Sequence, residues 1–142
     1  MVGDERSLGD ARALHALVAG PADAPAKLVF LHGLTGSQQT WTAVLGDLVG
    51  RYRVAALDLP GHGRSDRRDP ADTDYSVAGL AAAVGEAIVA LGMAPAIVVG
   101  HSLGGAVGMT LAHEQPALVR ALVLVDSAGL GAEIAPELLA RV

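Results

Sequence analysis

A serine flanked by glycines, in Gly100-His101-Ser102-Leu103-Gly104-Gly105, lies between an apolar run at residues 96–99 and a helix-forming run at 106–112. That context bends a strand sharply into a helix with the serine at the bend, the arrangement of a nucleophile elbow. A serine hydroxyl is a weak nucleophile. The bend lifts its oxygen clear of the sheet and turns the following backbone N–H groups toward any oxyanion that forms on an attacked carbonyl. Gly100 and Gly104 stand two residues either side, where a Cβ would obstruct the closing of strand onto helix. The chemistry so marked is covalent acyl transfer.

The elements that must hold this serine follow from the apolar pattern. Weak strand character at residues 13–18 ends in Gly20-Pro21, and a continuous apolar run at 27–31 leads into His32-Gly33. A helix is predicted around 41–49, a strand at 53–57, a helix at 77–91, a strand at 96–99, a helix to about Gln115 before Pro116, and a strand at 121–125. A final helix is predicted at 134–142, with Pro136 near its start. Residues 77–100 are long enough to span a bilayer and carry Glu86 as their one charge, yet Gly92 and Pro95 divide them and the β-branched Ile97-Val98-Val99 follows. A helix followed by a strand is the better reading. Strands alternating with helices, with apolar runs rather than polar alternation, predict an α/β fold: a mostly parallel sheet with helices on both faces.

Composition narrows the partners. The chain has 142 residues, 51% of them hydrophobic, with a mean hydropathy of +0.42; one core is expected, with a face left uncovered. A net charge of −5 without a basic cluster argues against nucleic acid or an anionic membrane surface and favours a small neutral substrate. No cysteine is present, so a disulfide frame, a thiol nucleophile and a cysteine metal site are excluded, in keeping with a cytoplasmic setting. Asp4, Glu5 and Arg6 near the start do not read as a secretory leader.

Open parallel sheets place their sites at the carboxyl ends of strands. Besides the elbow, two such ends carry suggestive loops: Leu31-His32-Gly33-Leu34 and Asp58-Leu59-Pro60-Gly61-His62-Gly63-Arg64-Ser65. With these three motifs in order across residues 14–131, the sequence resembles the α/β-hydrolase family, in its lid-bearing branch of esterases, lactonases, C–C bond hydrolases, cofactor-free haloperoxidases and related acyltransferase domains. The stretch Ser127-Ala128-Gly129-Leu130-Gly131-Ala132-Glu133-Ile134 also resembles the hydrolase-like domain attached to acetoin dehydrogenase acyltransferase subunits.

The resemblance implies Ser102 as nucleophile and the backbone N–H groups of Leu103 and Leu34 as oxyanion donors, acting on a small-molecule ester or other acyl substrate with no metal or organic cofactor. It implies bracing roles for His32 and His62, and a strand-end anchor at Asp58. Trp41 is expected to pack the first helix on the sheet. His101 is a rival base by proximity alone, but neighbouring residues at a strand end point their side chains apart. His15 falls in the weak first strand, and His113 beside Glu114 late in a helix faces solvent. None of the five histidines occupies the family's catalytic position, which follows the last strand of its complete sheet.

For the acid, most relatives use a strand beyond 121–125. A minority use the end of that strand, where Asp126 stands, and otherwise Asp126 closes the turn into the lid. The division so implied is residues 1–128 as the front part of a truncated hydrolase core and 129–142 as the opening of the lid. The 142 residues alone are expected to turn over little or no substrate. Two other classes remain: an interaction domain whose unfinished sheet takes strands from a partner chain, and a nucleotide-binding fold. The second is disfavoured, because the three glycine positions would be Gly100, Ser102 and Gly105, and no Lys-Ser or Lys-Thr follows.

Overall fold

The computed structural model describes residues 3–8, 14–67 and 69–131. Strands β1 (Asp4–Leu8), β2 (Leu14–Ala19), β3 (Lys27–Leu31), β4 (Arg53–Leu57), β5 (Ala96–His101) and β6 (Val119–Val125) make one sheet. Their spatial order is β1-β2-β4-β3-β5-β6. From β4 to β6 neighbouring strands run parallel, while β1 and β2 pair antiparallel with their neighbours. The α/β class and mostly parallel sheet expected from the sequence are what the chain forms.

Helix α1 (Thr42–Leu48) covers one face, where Leu45 and Trp41 pack on Phe30, Val54, Ala56 and Val99. The Phe30 and Trp41 rings meet at 5.2 Å between centroids, tilted by 53°, so Trp41 does pack the first helix on the sheet. Helices α2 (Val77–Ala90) and α3 (Leu103–Glu114) cover the other face over Val29, Leu31, Ala55, Leu57 and Val98. Both faces of β3, β4 and β5 are therefore dry, which is why those strands read as unbroken apolar runs rather than alternating ones. The start of α2 is fixed by Ser76, whose Oγ accepts a hydrogen bond from Gly79 N at 3.1 Å.

β1 has no counterpart in the sequence reading. Its residues, Asp4-Glu5-Arg6-Ser7-Leu8, are exposed apart from Leu8 and carry no apolar period. They form a strand because β2 offers an open edge; the pairing partners, not the residues, make it extended. Of the predicted lid segment 129–142, only Gly129, Leu130 and Gly131 fall among the described residues, and the helix expected at 134–142 lies outside them.

The strand order has a functional consequence. From β3 the chain moves through α1 to β4 on one side, whereas β5 and β6 lie on the other. β3 and β5 are neighbours whose following loops diverge, and such a reversal opens a crevice at the carboxyl end of the sheet.

Candidate active site

Ser102 sits in that crevice between β5 and α3 with φ 49° and ψ −113°, a backbone conformation that non-glycine residues seldom adopt. The strain is held by the surrounding backbone. Ser102 N donates to Val125 O at 3.1 Å, and Ser102 O accepts from Gly105 N at 3.0 Å and from Ala128 N at 3.0 Å. The neighbouring strand end and the helix start thus fix the bend, as strained site residues require. Glycine packing closes it: a Cβ on Gly100 would lie 2.4 Å from Gly104 O, and one on Gly105 would lie 2.2 Å from Ser127 Oγ.

The loop after β3 presses directly on the elbow. A Cβ on Gly33 would come within 3.2 Å of Ser102 Cβ and 2.8 Å of His101 Nδ1. Leu34 follows, and Thr35 takes φ 64°. The two N–H groups expected to stabilise an oxyanion, those of Leu34 and Leu103, therefore come from two loops that the β3–β5 pairing brings together. Neither has a hydrogen-bond acceptor among the described residues. A cavity of about 600 Å³ opens beside them, lined by Leu34 and Leu103 together with Pro60, His62, Tyr75 and Leu80. Ser102 itself is not among the lining residues; the cavity meets the elbow through Leu103.

Two buried side chains tie the loops in place. His32 is fully buried, and its Nδ1 lies 2.7 Å from Gly33 O while its Nε2 accepts from Leu59 N at 3.0 Å. With Nε2 accepting, the proton is on Nδ1, so the ring is neutral and joins the loop after β3 to the loop after β4. Burial pushes the His32 imidazole below its ordinary value, opposed by its hydrogen bond to Gly33. Asp58, also buried, accepts from Gln38 N at 2.7 Å with Oδ1 and from Arg64 N at 2.9 Å with Oδ2. Its backbone oxygen accepts from Ser65 Oγ at 2.6 Å, and the same Oγ accepts from His15 N at 2.9 Å. The bracing role expected of His32 and the anchoring role expected of Asp58 both have their geometry here.

The lowered pKa of His32 has a signed consequence. Below about pH 6.5 the unfolded chain protonates this histidine, while in the folded chain a second ring proton would face the Leu59 N–H. The unfolded state then binds more protons, so stability is full above that pH, falls as the pH drops through it, and levels off below the folded-state value. A His32→Gln variant is expected to lose part of this acid dependence. Urea midpoints of the two proteins at about pH 7.5 and about pH 5.5 check it, and equal slopes for both proteins would show that His32 is not the group responsible.

The remaining candidates separate clearly. His101 makes no hydrogen bond to Ser102; its ring lies against Gly33. His62 lines the cavity with Nδ1 at 3.0 Å from Pro60 O and its ring 5.1 Å from that of His32. His113 is exposed at the end of α3. Asp126 is exposed at the end of β6 with φ 43° and has no hydrogen-bond partner among the described residues. The sequence reading gave His15 no role, yet its Nδ1 lies 3.6 Å from Asp58 Oδ2 and 3.3 Å from Gln38 Nε2, and its Nε2 lies 3.9 Å from Glu5. No local signal marks that contact, because β2 reaches Asp58 only through its pairing with β4.

No hydrogen bond joins the Ser102 hydroxyl to any described side chain. Among the described residues no group of three or more histidine or acidic side chains is placed to hold a metal ion. No described helix is long and apolar enough to cross a membrane.

Comparison with known proteins agrees with this architecture. A family profile described as the alpha/beta hydrolase fold matches residues 27–141. Lipase LipV of Mycobacterium tuberculosis is 42% identical over 115 residues, which cover 81% of this chain and 42% of LipV. The crystal structure of a membrane phospholipase A, described as a bacterial virulence factor, superposes with a TM-score of 0.87 at 30% identity over 98% of this chain and 45% of that one. N-acyl homoserine lactonase AidH, solved with N-butanoyl homoserine, gives a TM-score of 0.76 at 34% identity over 87% of this chain and 45% of AidH. The chain spans less than half the length of these relatives. With the profile matched over most of the chain, and with the sheet order, the elbow and the loop after β3 arranged as described, the protein belongs to the alpha/beta hydrolase fold family.

Proposed function

We propose that the protein is the front part of a serine hydrolase that cleaves a small ester, thioester or related carbonyl substrate through an acyl-enzyme on Ser102, in a cytoplasmic setting. The observation that carries this reading is Ser102 at positive φ between β5 and α3, with the Leu34 loop packed against it. In the reaction Ser102 Oγ attacks the acyl carbon, and its proton passes to a histidine supplied by polypeptide outside these 142 residues. The carbonyl oxygen gains charge between the N–H groups of Leu34 and Leu103. Each such donor contributes roughly 3 kcal/mol to the transition state when held in place beforehand. The positive end of α3 points at the same oxygen. Collapse expels the alcohol or thiol, and water then releases the acid and frees the serine. LipV, the phospholipase and AidH are named for hydrolysis at acyl carbons, which supports that substrate class.

The acid that would orient the histidine is assigned to the same outside polypeptide, with Asp126 as the alternative from within the chain. A serine without its base loses most of its activation. The 142-residue chain is therefore expected to hydrolyse p-nitrophenyl acetate at close to the buffer rate. The same protein extended through its natural reading frame is expected to react with a fluorophosphonate probe, and its Ser102→Ala variant to lose labelling completely. An extended protein with unlabelled Ser102 would overturn the proposal. Robust Ser102-dependent turnover by the short chain would overturn the placement of the base outside it.

A further inference from the structure

The cavity beside the elbow is lined with a charge opposite to that of the chain. The net charge is −5, yet the ionisable side chains among the described lining residues are Arg67, His62 and Tyr75, and none is a carboxylate. His62 turns its Nδ1 to Pro60 O at 3.0 Å, and Leu34, Leu80 and Leu103 make the wall apolar. Arg67 is the one lining side chain that is charged at every working pH.

Several cations of the chain have partners. Arg64 pairs with Glu5, Arg53 donates to Gly20 O at 2.6 Å and Lys27 donates to Gly92 O at 2.7 Å. Arg67 has no hydrogen bond or ion pair among the described residues, although acids stand near it in sequence. Asp58 is engaged by Gln38 N and Arg64 N, Asp69 accepts from Ala71 N, and Asp74 accepts from Ser76 N. The backbone leading to Arg67 is fixed as well: Gly61 N donates to Asp66 O at 3.1 Å and Ser65 N to His62 O at 3.0 Å. A guanidinium at an apolar wall that a bound substrate seals from water costs free energy unless an anion joins it.

Strand order sets where this charge stands relative to the reacting bond. Leu57, Leu31 and Gly100 lie in register across β4, β3 and β5, so the ends of β4 and β5 are two strand spacings apart, about 10 Å. Arg67 joins the cavity wall from the loop after β4, while Ser102 follows β5 and Leu34 lies between them.

We infer that the substrate cleaved at Ser102 carries a carboxylate, or an anion of like geometry, several atoms from its acyl carbon, and that Arg67 receives it. The leucines take the intervening chain, and the guanidinium forks onto the carboxylate through two parallel N–H···O bonds. The net charge of the whole chain favours a neutral ligand, but at close range a lining without carboxylates sets the sign. The inference takes its chemistry from the Ser102 reading, and its test separates the two.

The protein extended through its natural reading frame is given two matched pairs of substrates. Mono-p-nitrophenyl adipate against p-nitrophenyl hexanoate puts the charge on the acyl side, and S-hexanoyl 3-mercaptopropionate against S-propyl thiohexanoate puts it on the leaving group. In one pair kcat/KM is expected to favour the anion by about tenfold. Arg67→Gln is expected to bring that ratio close to unity, Arg67→Glu to invert it, and Arg67→Lys to keep part of it. A ratio taken within one variant does not move with its folded fraction. A wild type without preference for the anion in either pair overturns the inference, as does an equal ratio in Arg67→Gln. A carboxylate of polypeptide outside these residues that occupies Arg67 gives the first of these results. Calorimetry reads the anion site without the chemistry: extended Ser102→Ala protein is expected to bind adipate about tenfold more tightly than its Arg67→Gln/Ser102→Ala counterpart. Such binding in a protein whose Ser102 resists the fluorophosphonate would sink the Ser102 reading and keep the role of Arg67, whereas labelling without anion preference does the reverse.

Discussion

Replacing Gly104 by alanine is expected to abolish the folded state. A Cβ there would lie 2.4 Å from Leu31 O and 2.7 Å from His32 O. Both are backbone atoms of β3 and its following loop, so no side chain can rotate to make room, and α3 would have to lift off the sheet. Losses above about 4 kcal/mol are exceptional for a single substitution, yet they approach the whole stability of a small domain, about 5–15 kcal/mol. The same movement would withdraw the Leu103 N–H from the crevice. Gly46 supplies the control: it lies exposed in α1, and an added Cβ would meet nothing within 4 Å. Gly46→Ala is expected to raise stability by about 0.5–1 kcal/mol through helix propensity alone. Urea denaturation of the two variants checks the pair, and a Gly104→Ala protein as stable as wild type would refute the close approach of α3 to β3.

Asp58→Ala is the second large effect. Its carboxylate is the acceptor for Gln38 N and for Arg64 N, and it lies 1% exposed. Truncation leaves two N–H groups without partners, at about 1–3 kcal/mol each, and opens a void where Gly63 now approaches the carboxylate. A loss of about 3–5 kcal/mol is expected. Asp58→Asn keeps one acceptor oxygen and is expected to lose about half as much. The effect extends to chemistry, because Gln38 ends the loop that carries Leu34. In the extended protein, Asp58→Ala is expected to slow fluorophosphonate labelling of Ser102 even under conditions where the variant remains folded. A labelling rate equal to wild type in folded Asp58→Ala would confine Asp58 to a role in stability.

The glycine at position 104 was legible as a requirement of the bend, since serine at a strand-to-helix junction demands small neighbours. That Leu31 and His32 are what it approaches was not legible, because those residues lie some seventy positions earlier and meet it only through the β3–β5 pairing. Asp58 divides in the same way. Its place after an apolar strand and before Pro60-Gly61 marks a loop anchor, but the two N–H groups it serves come from different loops. His15 gave no signal at all. Its role follows from β2 lying beside β4, a neighbour it reaches across the intervening β3 in sequence.

By itself the sequence determined what is local: which of the apolar segments between residues 14 and 125 are strands and helices, where the chain must bend, and that a serine stands at the bend between β5 and α3. These follow from the spacing of apolar residues and from the φ, ψ freedom of glycine, which act over a few residues. Only the tertiary structure decided the order of the strands, and with it the meeting of the Leu34 loop with Ser102 and the strand at Asp4–Leu8. Strand order is a choice among non-local pairings whose backbone hydrogen bonds are alike for every residue type. It is settled by how all the apolar faces are covered together, and no single segment carries that information.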